Sequence, residues 1–182
     1  MECDEQTIRD IFYTGSHAFR ADNQLIVDIC FLLQENLLFV EKHAIAAAGL
    51  YQKYLDDIRC GKIPVSDIDG GQIEHMALKL IGRDYLANET SNDIVFEREF
   101  EGLRPDVMSV DGNIIIECGN TNPNKVFEYF KSSSVRKVIV IPYPEEGDES
   151  MYAFVFAPGD DLSDFLLFRE KERVKMVRGF RR

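Results

Sequence analysis

Apolar residues follow two rhythms along this chain. From residue 23 to about residue 60, Leu25, Ile26, Ile29, Leu32, Leu33, Leu37, Val40, Ala44, Ala47, Ala48, Tyr51, Leu55 and Ile58 recur at spacings of three and four. That is the repeat of a helix burying one face. The length predicts two helices, with a break near Gly49 or in "QENLL" (34–38). "GKIPVSDIDGG" (61–71) supplies Gly, Pro and Asp and predicts a linker. From Gln72 the rhythm changes. Ile73, Met76, Ala77, Leu80 and Ile81 form one more helical stripe. "DIVFEREFEG" alternates as a strand does, and two short strands follow in "RPDVMSVDGNIIIECG". "NPNKVFEYFKSSS" predicts a helix, with Asn122 or Asn124 as cap and Pro123 in its first turn. "VRKVIVIPYP" and "MYAFVFAPG" predict strands, and "DLSDFLLFREKERVKMV" a last helix. The fold class is therefore α/β: a mixed sheet flanked by helices, comprising residues 70–182, with an N-terminal helical region at 1–69.

The turn between the two short strands fixes a register. Asp111-Gly112 is the strongest short signal for a two-residue hairpin loop. It sets Val110 opposite Asn113, Met108 opposite Ile115 and Asp106 opposite Glu117. Direct cross-strand neighbours have Cβ atoms about 5 Å apart on one face. Two carboxylates so placed repel, and a divalent cation relieves the conflict; oxygen ligands suit Mg²⁺ or Mn²⁺. The plainer alternative has Asp106 capping the turn at Pro105 and Glu117 paired with Arg104.

Composition narrows the picture. At 182 residues the chain suffices for one well-buried domain. No apolar run reaches the roughly 18 residues of a membrane span, and the acidic, polar start lacks a signal-peptide layout, so a cytoplasmic protein is expected. Four dispersed cysteines and three histidines give no zinc spacing. The net charge of −11 disfavours general nucleic-acid affinity. The tail at 169–182 carries seven basic and two acidic side chains, a net of +5, which leaves −16 on the remainder. It is a candidate contact for nucleic acid, or for the protein's own acidic surface.

The Pro-Asp of "RPDV" and the glutamate of "IIIECG", within a helix–meander–helix–strand order, resemble the PD-(D/E)xK nuclease superfamily over about residues 72–158. The resemblance implies a restriction-endonuclease-like core and a Mg²⁺- or Mn²⁺-dependent nuclease. Asp106 and Glu117 would ligate the metal, joined by the Cys118 backbone carbonyl. Glu74, in the preceding helix, would be a further ligand or orient a water; otherwise it is an ordinary exposed helix residue. The chain departs from the pattern at Gly119, where the family keeps lysine. Three readings follow. Lys125 supplies the charge from the next helix; Arg104, opposite Gly119 in the same register, supplies it; or catalysis is lost and the fold serves to bind a nucleic-acid or protein partner. Asn120 and Thr121, before that helix, are candidates for holding a substrate phosphate, with simple helix capping as the alternative. The N-terminal helices are candidates for a homodimer interface.

Overall fold

The computed structural model describes residues 5–12, 23–64, 71–145 and 147–179, with α6 side chains described as far as Lys171. The linker's centre, Cys3, His17 and most of the basic tail's side chains lie outside the described residues. The element order is α1 (Glu5–Phe12), α2 (Asn23–Gln34), β1 (Leu38–Ala47), α3 (Ala48–Arg59), α4 (Ile73–Glu89), β2 (Ile94–Phe96), β3 (Val107–Ser109), β4 (Ile114–Cys118), α5 (Pro123–Phe130), β5 (Lys137–Ile141), β6 (Ser150–Pro158) and α6 (Leu162–Gly179). Six strands form one mixed sheet in the order β1-β6-β5-β4-β3-β2. Only β4 and β5 run parallel, with α5 as their crossover; this is the connection a parallel pair requires.

The central strands are buried on both faces, which explains their unbroken apolar runs. Ile115, Val138 and Val140 point into a core with α1, α2, α5 and α6. Ile116, Cys118, Ile139 and Ile141 point the other way, into a core with α4. On that side Gly82 lets α4 approach the sheet closely: a Cβ there would stand 3.3 Å from Ile116 Cγ2. The hairpin register is the one the Asp-Gly turn dictates, with Val107 opposite Ile116 and Met108 opposite Ile115.

The N-terminal region differs from its helical rhythm. Helices form at α2 and α3, but the segment between them is the ten-residue strand β1, antiparallel to β6. Both candidate break points, 34–38 and Gly49, lie at boundaries of this strand. Its apolar residues fit either repeat, and pairing with a strand more than a hundred residues away decides between them. Region 1–69 is therefore not wholly helical, and its strand completes the same sheet as the core at 70–182. Of the stripe considered for a homodimer, Ile26, Ile29 and Leu32 are fully buried within one chain, packed with Ile8, Ile11 and Phe12 of α1. Strand β2 is also shorter than its alternation suggests. It stops at Phe96, because Glu97 has left-handed backbone (φ 45°). Among the described residues, no helix is long and apolar enough to cross a membrane.

Candidate active site

Glu117 is the last residue but one of the parallel strand β4 and is 2% exposed. Its side chain meets α5, whose start is fixed by Asn122, which accepts the Asn124 N–H at 2.9 Å, and by Pro123 in the first turn. Lys125 and Tyr129 lie one helical turn apart and so share a face of α5. Lys125 Nζ donates to Glu117 Oε2 at 2.6 Å, and the Tyr129 hydroxyl donates to Oε1 at 2.5 Å. Lysine thus reaches Glu117 from the crossover helix.

Asp106 stands just before β3 and is held from the opposite side of the sheet. Its Oδ2 accepts the Cys118 N–H at 2.7 Å, a hydrogen bond that ties the two strands beyond the last backbone pair. Its Oδ1 lies 2.9 Å from His75 Nε2 and 4.0 Å from Lys79 Nζ, both on α4. The register predicts both acids on one face of the hairpin; instead the paired ladder ends at Val107 and Ile116, and the two carboxylates turn to helices on opposite faces of the sheet, Asp106 to α4 and Glu117 to α5.

Their electrostatics diverge accordingly. Burial, then the Asp106 charge, push the Glu117 carboxyl up to about 7, against the pull of Lys125 and Tyr129. Burial also pushes Asp106 up, but the His75 bond and charge, the Cys118 amide and Lys79 together hold it below the usual carboxylate value. One acid is kept ionised and its neighbour is poised near neutrality, a separation of roles common in sites of proton and metal chemistry.

A second group of charges supports Asp106. Lys79 is fully buried and bonded to Glu97. Glu97 also receives Arg104, through Nη2 at 3.2 Å and through Nε to its backbone carbonyl at 2.7 Å. Arg104 is thereby committed to Glu97, and it is Tyr143 that covers Gly119. Gly119 has φ 73°, and a Cβ there would come 2.6 Å from Tyr143 Cε2. Glycine here satisfies a left-handed backbone and a ring packed on it, two demands that a lysine fails.

The other candidates lie at the margin. Glu74 is half-exposed and faces Arg59 at 3.6 Å. Asn120 is exposed. Thr121 is buried, with its hydroxyl 3.4 Å from the Gly119 carbonyl. With Asn122 as the cap, this loop satisfies the capping alternative. Arg169, at the start of the basic tail, pairs with Asp28 at 3.2 Å, on the protein's own acidic surface. His75, Lys79, Glu97, Tyr129 and Tyr143 are site residues that the sequence pattern does not single out. The one available signal is spacing: His75 and Lys79, and again Lys125 and Tyr129, are i, i+4 pairs.

Among the described residues, no group of three or more His, Cys, Asp and Glu side chains could hold a metal ion. The oxygen donors present are two buried carboxylates, Asp106 and Glu117, each of whose oxygens has a protein partner. That composition fits Mg²⁺, which retains several waters and needs only one or two carboxylates. A cavity of about 390 Å³ opens at the other end of β4 and β5, lined by Glu89, Asn92, Asp111, Asn113, Arg136 and Lys137 among others; no candidate residue lines it. No protein-family model, curated protein or solved structure matches this chain.

Proposed function

We propose that the protein is a Mg²⁺- or Mn²⁺-dependent phosphodiesterase acting on nucleic acid. The observation that carries this reading is the Lys125 ammonium 2.6 Å from the buried Glu117 carboxylate, which returns to the site the positive charge that Gly119 cannot provide. Asp106, Glu117 and the Cys118 carbonyl would hold the cation. Bound there, it would supply an activated water and offset charge on the scissile phosphate. Asp106 enters this chemistry ionised, braced by His75 and Lys79. Glu117 gives up its proton near neutrality. Lys125 is placed to stabilise negative charge developing on phosphate oxygens, usually the largest contribution to such catalysis. Substrate would reach the site with little help from the acidic body, so the basic tail is the proposed nucleic-acid contact.

A second reading, a nuclease-like module that binds a partner without catalysis, draws on one observation. All four carboxylate oxygens have protein partners: His75 and the Cys118 amide on Asp106, Lys125 and Tyr129 on Glu117. The two readings separate in a cleavage assay on single-stranded, duplex and branched DNA and RNA with Mg²⁺ or Mn²⁺. Hydrolysis that disappears in Glu117→Gln supports the phosphodiesterase. No hydrolysis of any substrate, from protein shown to bind oligonucleotide, supports the module.

A further inference from the structure

Helix α5 treats the two oxygens of Glu117 unequally. Tyr129, whose hydroxyl bonds Oε1, is 1% exposed as a residue, and its ring is set in the core beside Phe100 at 6.4 Å between centroids. It has no route to another partner without disrupting that packing. The Lys125 side chain on Oε2 is 34% exposed and sits on a long flexible stem. It can leave for solvent or for an anion at little cost, since lysine heads readily extend to water while their stems stay packed.

From this asymmetry we propose that α5 divides Glu117 between a fixed anchor and an exchangeable one: Tyr129 positions the carboxylate through Oε1, while Lys125 occupies at Oε2 the seat that a divalent cation takes over. The inference rests on the metal-dependent reading above and deepens it. A +1 ammonium and a divalent cation on the same oxygen repel strongly in a partly buried setting, so each excludes the other. Cation loading therefore frees Lys125 beside the site, where a substrate phosphate offers its next partner. Tyr129 is a positioning residue in this scheme: it touches neither substrate nor metal and acts through Glu117.

The scheme makes the two neighbours of one carboxylate act in opposite directions on metal affinity. The test is calorimetric titration of Mn²⁺ into the full chain, wild type, Lys125→Met and Tyr129→Phe, at about pH 8 so that the Glu117 proton does not limit binding. Lys125→Met is expected to bind Mn²⁺ about tenfold more tightly, because a competing charge is gone. Tyr129→Phe is expected to bind it about tenfold more weakly, the usual cost of losing a partner that orients a metal ligand. Wild-type binding that weakens in both variants, or changes in neither, overturns the exchange but leaves the metal reading standing. No Mn²⁺ binding by any of the three overturns both. Lys125→Gln provides a second neutral variant, and thermal unfolding with and without Mn²⁺ confirms that each protein titrated is folded.

Discussion

The Tyr143 ring lies over the backbone of Gly119, in the space from which a side chain at that position would have to start. Glycine at this position is therefore part of a local arrangement with tyrosine, and a lysine cannot be introduced there by a single change. Gly119→Ala should destabilise the fold by about 1–3 kcal/mol in chemical denaturation, from left-handed strain with a displaced ring. Adding Tyr143→Ala removes the clash but leaves the strain, so a penalty of about 1 kcal/mol should persist between Tyr143→Ala and the double variant. A penalty that vanishes in the double variant would show that the ring alone demands glycine.

Lys125 and Arg104 are both candidates for a positive charge beside the acids, and they have different partners: Lys125 reaches Glu117 and Arg104 reaches Glu97. Lys125→Ala should lower the turnover rate about a hundredfold or more, the scale of a lost group that stabilises developing charge. Arg104→Ala, which loosens Glu97 on an exposed side chain, should leave turnover within about threefold of wild type. Steady-state cleavage of one oligonucleotide by both variants decides the order.

Glu117 imposes a pH dependence on the metal-free protein. Its carboxyl titrates at about 7 when folded, above the ordinary 4.5, so the folded state holds the proton more tightly. The resulting stability is fully present below about pH 4.5 and is lost as pH rises through about 7. Across that interval the wild type should lose on the order of 2–3 kcal/mol relative to Glu117→Gln, which cannot ionise. Urea unfolding of both proteins at a series of pH values measures the difference. A gap that stays constant with pH would mean that Glu117 is ionised throughout.

Lys79 and Lys125 both face acids, but their burial sets different costs. Lys79 is fully enclosed between Glu97 and Asp106, so Lys79→Met leaves buried charge behind and should cost about 2–4 kcal/mol. Lys125 is one-third exposed, and Glu117 can take up a proton when it is lost; Lys125→Met should cost about 1 kcal/mol or less near pH 6. Denaturation midpoints of the two variants rank them directly.

Local signals made the half of the fold that carries the candidate site readable. Asp111-Gly112 dictated the hairpin register, and Asn122-Pro123 the start of α5, because each acts through neighbours in the chain. Strand β1 was hidden, since its partner β6 is distant and its own residues, Leu38 to Ala47, suit a helix nearly as well. The site was readable to the same depth. The register brings Asp106 and Glu117 onto neighbouring strands but does not show that their side chains turn to opposite helices, and Lys125 is named from its place in the first turn of α5. His75 and Lys79 were not legible, because their acids, Asp106 and Glu97, come from loops whose course no periodicity encodes. Tyr129 reads as core from sequence and is core in fact; only its hydroxyl, ending 2.5 Å from Glu117, gives it a second role.

The proposed chemistry depends on Asp106 and Glu117 together holding a divalent cation. Anomalous diffraction from crystals of the wild-type protein soaked in Mn²⁺ tests it most directly. A manganese peak bonded to Asp106 and to Glu117 Oε2 is expected, with Tyr129 still on Oε1 and Lys125 displaced. Crystals that show no peak between the two acids, with the Lys125–Glu117 contact intact at 2.6 Å, would contradict it.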